Sequence, residues 1–247
     1  MSLYRFYCPE LNQPSVELTG SHSHHLASVL RLAKGDKVEL FDGKGSLAIA
    51  AISSINHGKT GLHVEQLEVV SKPNQPQITI AASIAKGERF DWMISKCTEL
   101  GIDRILPVIF ERTIKQPKNP KIVQRWQNLT ISAAQQCGRL FLPYIAPPLQ
   151  LRDVLTNLKK DFPATRILAG GLSGKCQSLA EVSLASQDTA AFVGPEGGLT
   201  KDEETFLENM GCQEVRLTNT ILRVETAAIA FAAILATHRD YETQPAK

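Results

Sequence analysis

No uninterrupted apolar run in this chain approaches the ~20 residues that a bilayer-spanning helix needs, so no transmembrane segment is expected. The first twenty residues interleave Arg5, Glu10, Pro14 and Glu17 with apolar side chains, which leaves no signal-peptide core and points to a cytoplasmic protein. Cysteine is sparse. Cys8, Cys97, Cys137, Cys176 and Cys212 are odd in number and far apart, which suits neither a disulfide framework nor a zinc site, and they are expected to be reduced. The Gly-x-Gly-x-x-Gly spacing of dinucleotide binders and the Gly-Lys-Ser/Thr of a phosphate loop are also missing, which argues against NAD and ATP. No internal repeat or low-complexity tract is present.

What is there is globular in composition. Apolar residues make up 43% and charged residues 21% of 247 residues, enough for one large domain or two smaller ones. The net charge of +2 conceals a gradient along the chain. Residues 1–72 hold seven Lys/Arg and seven Asp/Glu, residues 86–152 hold eleven against five, and residues 153–247 hold nine against thirteen. A basic middle is either a solvated face or a surface for a polyanion such as nucleic acid.

Residues 71–77, Ser-Lys-Pro-Asn-Gln-Pro-Gln, have the composition of a linker and divide the chain. Before them, runs at 38–41, 47–55 and 62–70, separated by glycine turns, predict a small β-barrel or sandwich. One helix is expected there, over 22–32, with Ser21 as N-cap and Gly35 just past its end. After the linker, strands at 78–84, 104–110, 165–169, 189–193 and 214–217 alternate with helices at 90–100, 120–136, 202–209 and 226–238. That alternation predicts an α/β domain with a mainly parallel sheet. The domains are thus 1–72 and 77–247.

The sharpest local signal is Phe192-Val193-Gly194-Pro195-Glu196-Gly197-Gly198-Leu199-Thr200, a strand entering a glycine-rich turn and then a helix whose start is marked by Thr200 and Glu203 as a capping box. In open α/β sheets ligands lie beyond the carboxyl ends of strands, so this turn is a pocket candidate. A second strand end follows at 214–226, where Arg223 and Glu225 precede an alanine-rich helix. On bland readings Glu225 is a helix-dipole partner and Arg223 a surface ion pair. His22, His24 and His25 lack carboxylate or cysteine partners at ligand spacing, and no metal is expected.

Together these segments resemble a known family. Residues 194–198 with 222–226 look like the paired signature of the SPOUT methyltransferases, specifically the small-subunit ribosomal RNA uracil-N3 branch (RsmE type). Lys86-Gly87-Glu88-Arg89, Lys96-Cys97-Thr98-Glu99-Leu100-Gly101, Pro107, Glu111-Arg112-Thr113 and Gln136-Cys137-Gly138-Arg139 stand in that family's order. Arg5-Phe6, His25, Val29-Leu30-Arg31, Gly35 and Phe41-Asp42-Gly43-Lys44-Gly45 resemble its PUA-like RNA-binding domain. The chain departs from the family at Leu217-Thr218-Asn219-Thr220, where Leu-Gly-x-Arg is usual, at Gln135, where Glu is common, and at 169–172, which lacks a His or acidic residue.

The resemblance implies a trefoil-knotted α/β domain, a homodimer, and S-adenosylmethionine held among loops 168–172, 194–198 and 217–223. Leu168, Gly170, Gly194, Glu196, Gly197, Gly198, Leu217, Thr218, Ile221 and Leu222 are the expected cofactor contacts. The implied reaction is methylation of uridine N3 in 16S ribosomal RNA, within the small ribosomal subunit. Arg223 is the candidate for stabilising the charge that develops on the uracil carbonyls, and Glu225 or Glu196 for taking the proton. Arg5, Arg31, Lys86, Arg89, Arg112 and Arg139 are the expected RNA contacts. A 2′-O-ribose methyltransferase of the same superfamily and a non-catalytic RNA-binding protein are the alternatives.

Overall fold

A computed structural model describes residues 3–114, 121–171, 176–182, 184 and 187–243. The chain divides into a unit of Met1–Pro73 with Ile131–Leu142 and a unit of Asn74–Thr130 with Pro143–Lys247. Residues 131–142 return to the first unit, where the Leu142 amide donates to the Gly43 carbonyl at 2.9 Å and Phe141 bridges to Lys44. No linker composition announces that return.

The first unit is a five-stranded sheet. Its strands are β1 (Arg5–Tyr7), β2 (Ser15–Thr19), β3 (Lys37–Phe41), β4 (Ser46–Asn56) and β5 (Lys59–Val69), ordered β1-β3-β4-β5-β2. β1 runs parallel to β3 and the other pairings are antiparallel. The period-2 pattern that predicted the three longer strands also builds the core, because Val38, Leu40, Ala48, Ala50, Ile52 and Leu62 are buried together with Phe6, Leu18 and Leu26. The expected helix differs in its ends. It begins as α1 (Gly20–His24) behind Thr19 and continues as a π turn (His25–Val29), so Ser21 lies inside the helix rather than capping it. Thr19 is the last residue of β2 and is extended, and the helix starts where that strand ends. Buried Ser23 anchors it, its hydroxyl 2.8 Å from that of Thr60 on β5. Arg31 closes the segment at φ 55.

In the second unit eight strands pair only in parallel. They are β6 (Ile78–Ser83), β7 (Arg104–Ile109), β8 (Tyr144–Ile145), β9 (Leu149–Gln150), β10 (Arg166–Gly170), β11 (Gln177–Ser178), β12 (Thr189–Val193) and β13 (Gln213–Arg216). The order is β11-β13-β10-β12-β6-β7-β8, with β9 also on β7. Every residue of the central strands β6 and β12 is buried, as a sheet covered on both faces requires. Alternate residues serve opposite faces. Ile80, Ala82, Leu168, Ala191 and Val193 meet Phe90, Met93 and Ile94 of α2 (Glu88–Glu99) and Phe231 and Leu235 of α6 (Val224–Thr243). Ala81, Val108, Ile167, Ala190 and Phe192 meet Leu151, Val154, Leu155 and Leu158 of α4 (Leu151–Asp161) and Leu207 of α5 (Lys201–Asn209).

Pro120, placed at the start of an expected helix, lies outside the described residues, and the helix itself is α3 (Ile122–Cys137). The helix α4 and the two-residue strands β8, β9 and β11 were not foreseen. Of the α6 alanines, Ala228, Ala232 and Ala236 are buried in the chain's own core, while Ala230 and Ala233 are half-buried. Farther along, Arg239 is buried and donates from Nη1 to Asp103 Oδ2 at 3.0 Å, which fastens α6 to the start of β7. Among the described residues no helix is long and apolar enough to cross a membrane. None of the five cysteines is in a disulfide, and burial pushes the Cys97 and Cys212 thiols up to about 12.

Candidate active site

Parallel pairing puts the carboxyl ends of β13, β10, β12, β6 and β7 side by side on one edge of the sheet, in that order. The three segments expected to hold the cofactor leave the first three of these ends. Leu168 and Gly170 close β10, residues 194–198 follow β12, and Leu217, Thr218, Ile221 and Leu222 follow β13. The basic candidates Lys86 and Arg89 follow β6, and Arg112 follows β7. Sequence reasoning proposed these groups separately. The strand order makes them neighbours, with cofactor segments at one end of the row and cations at the other.

The segment after β10 is shaped by an acidic side chain. A Cβ added to Gly171 would lie 1.8 Å from Glu214 Oε1, so a larger residue there would require the exposed Glu214 carboxylate to move aside. Leu168 is fully buried in the core, whereas Gly170 is exposed. Leu172, the last residue of that expected loop, lies outside the described residues.

The turn after β12 is held from several sides. Gly198 has φ +74 and its amide donates to the Pro195 carbonyl at 2.9 Å, which closes the turn. Arg112 Nη1 donates to the carbonyls of Gly197 at 2.8 Å and Leu199 at 3.2 Å. The expected capping box is present: the Thr200 hydroxyl accepts from the Glu203 amide and the Glu203 carboxylate accepts from the Thr200 amide. That carboxylate also accepts from the Glu111 amide at 2.8 Å. Arg112 was expected to reach RNA, and its bracing of the turn escaped sequence reasoning because 85 residues separate it from Gly197. Glu196, Gly197 and Gly198 remain exposed at the tip.

The segment after β13 is looser. Thr218 and Thr220 hydrogen-bond to each other through hydroxyl and backbone atoms, and Ile221 is 83% exposed. Arg223 is exposed and, among the described residues, makes no ion pair, so the bland reading of it as an ion-pair partner finds no support within the chain. Two residues on, Glu225 in the first turn of α6 is only 6% exposed. One oxygen, Oε1, lies 3.9 Å from Arg89 Nε, and the other, Oε2, is buried with no hydrogen-bond partner among the described residues. A buried carboxylate oxygen without a partner is costly and invites a donor from a bound molecule. Arg89, expected to touch RNA, is thereby drawn to the candidate base.

Of the remaining basic candidates, Lys86 and Arg31 are exposed, and Arg139 is half-buried. Arg5 is turned inward: its Nε and Nη2 both lie 2.9 Å from Glu39 Oε2.

Residues 72–236 match the family described as RNA methyltransferase domain, and residues 18–64 match the family described as RNA methyltransferase PUA domain. The chain is 34% identical to ribosomal RNA small subunit methyltransferase E of Synechocystis sp. over 230 residues, 91% of this chain and 74% of the relative. It is 32% identical to the Rickettsia conorii protein of the same name, with 88% of each covered. Among solved structures, ribosomal RNA small subunit methyltransferase E of Neisseria gonorrhoeae bound to S-adenosyl methionine superposes with a TM-score of 0.84 at 32% identity, over 96% of this chain and 98% of that one.

Proposed function

The chain belongs to the RNA methyltransferase family, and from that premise we propose that it transfers a methyl group from S-adenosylmethionine to N3 of a uridine in 16S ribosomal RNA. The observation that carries this reading is the run of three loops at the adjacent ends of β13, β10 and β12, flanked by cations at β6 and β7. The residues fit the donor. Glycines at 170, 171, 194, 197 and 198 stand at these ends, with Gly170, Gly197 and Gly198 exposed, and Leu217, Ile221 and Leu222 supply apolar contact. When bound, S-adenosylmethionine supplies a methyl group already activated by a sulfonium.

The chain's own part is positioning and charge. Uridine N3 carries a proton that must leave, and the resulting negative charge spreads onto the flanking carbonyl oxygens. Arg223, exposed at the start of α6 and without an ion pair among the described residues, places a guanidinium where those oxygens can meet it. Glu225 steers or accepts the N3 proton through Oε2, which has no partner among the described residues, with Arg89 beside its other oxygen helping to align the carboxylate. Glu196, exposed at the tip of the turn, is the second candidate for that proton.

Lys86, Arg31 and Arg139 are assigned to RNA phosphates. Affinity for RNA should therefore fall steeply with salt as counterions are released. A dissociation constant that stayed flat from low to physiological ionic strength would remove the basic residues from the RNA surface. The protein works in the cytoplasm on the small ribosomal subunit and is a homodimer. The dimer is proposed from the family resemblance. Sedimentation equilibrium at micromolar concentration should give twice the 27.1 kDa chain mass, and a species at the chain mass would contradict it. Calorimetric titration of the protein with S-adenosylmethionine tests the donor. One site per chain is expected, whereas absence of heat and of binding would leave a non-catalytic RNA-binding protein.

A further inference from the structure

The first unit contains a cavity of about 580 Å³ that none of the steps above uses. Arg5 of β1, Glu39 of β3, His22 and His25 of the helix, and Gln135 and Gln136 at the end of α3 line it, all of them first-unit residues. Its size lies within the range of pockets that hold small organic groups.

Charge decides what suits it. Glu39 takes both Nε and Nη2 of Arg5 at 2.9 Å, so the guanidinium charge is already matched and a phosphate would find no net cation there. Burial, with His25 close by, holds the His22 pKa below the usual imidazole value, so this ring adds no charge near neutral pH. What the walls offer is hydrogen-bonding edges and flat rings. Arg5 Nη1 is buried with no partner among the described residues, and the two glutamine amides each present a donor and an acceptor. Phe6 packs edge-on against both imidazoles, at centroid distances of 6.5 Å to His22 and 6.2 Å to His25, which fixes their planes. Neutral hydrogen-bonding edges beside fixed rings recognise an unstacked nucleobase.

We propose that this cavity holds one unpaired base of the RNA substrate, a second base beyond the uridine that is methylated. The proposal rests on the reading that the substrate is RNA. The cavity thus sets which RNA is chosen, while the strand-end loops carry out the transfer.

The test compares fluorescein-labelled single-stranded oligouridylate, oligocytidylate and oligoadenylate with an abasic tetrahydrofuran strand of equal length and charge, each titrated with the full chain. At least one base-bearing strand should bind on the order of tenfold more tightly than the abasic one, the worth of a stacked base. The double variant His25→Ala/Gln136→Ala, at two exposed positions, should bring that strand down to the abasic affinity. Its own abasic affinity and salt slope should stay unchanged, since no phosphate contact is removed, and an unchanged melting temperature would show that it folds. Equal binding of all strands by the unaltered chain would overturn the cavity proposal and leave the RNA reading standing. An equal drop for abasic and base-bearing strands in the variant would do the same, by making the cavity a backbone contact. If no strand bound at all, the RNA reading itself would fall and the cavity with it.

Discussion

The turn after β12 and the segment after β13 belong to one site, yet they are held in opposite ways. Residues 194–200 are tied by Arg112 to two carbonyls, by Glu203 to the Thr200 and Glu111 amides, and by the positive φ of Gly198 to a closed turn. Among the described residues, the side-chain hydrogen bonds of Thr218 and Thr220 stay within their own segment. One loop is tied to other parts of the second unit, and the other carries few such ties among the described residues. Binding to the first costs little ordering entropy, while binding to the second must offset it. The catalytic candidate Arg223 sits at the end of the freer loop, where a cation can be brought to the transition state without first holding the ground state.

The largest consequence falls on Arg223. Replacing it with Ala should lower single-turnover methylation of ribosomal subunits by ~10²–10³-fold, the usual loss of one electrostatic contact at a developing charge. Affinity for S-adenosylmethionine, measured by calorimetry, should hardly change, since the contact is made mainly in the transition state. A wild-type rate would reduce Arg223 to a surface cation.

Arg112→Ala should invert that pattern. Loss of its two carbonyl contacts loosens the prepared turn, and affinity for S-adenosylmethionine should weaken by about three- to tenfold, the smaller end reflecting the exposure of this arginine. If RNA affinity fell instead while cofactor affinity held, Arg112 would be a phosphate contact and the bracing incidental.

Smaller still is the difference between two threonines. Thr200→Ala removes a helix cap and should cost about 1 kcal/mol, a fall in melting temperature of about 2–4 °C for a chain of this size. Thr218→Ala breaks only contacts inside its own exposed segment and should stay within about 0.5 kcal/mol. Equal losses from the two would mean that the loops are held alike.

This contrast also separates what the sequence discloses from what it hides. Short-range signals were legible: the alternation in β3 to β5, the strand-helix alternation of the second unit, and the capping box at Thr200 each depend on residues a few positions apart. The placement of the proposed cofactor segments at strand ends follows from the glycine turn and from family resemblance. The ties across the chain were not legible. Arg112 to Gly197, Arg239 to Asp103 and Leu142 to Gly43 join residues far apart in sequence, and no local pattern records which pairs will meet. The α6 alanines are a related case: small residues permit close approach without saying to what, and Ala228, Ala232 and Ala236 meet the chain's own core. The helix near His22 started early because β2 runs into it directly, an end set by pairing with β5 rather than by the serine in the sequence.

The most direct test of the whole account is nucleoside mass spectrometry of 16S ribosomal RNA after small ribosomal subunits lacking the modification are incubated with the purified chain and methyl-labelled S-adenosylmethionine. The account predicts label in 3-methyluridine, at one position, and none without the protein. Label in a 2′-O-methylated nucleoside would contradict the proposed chemistry, and an unlabelled digest would contradict the proposed activity.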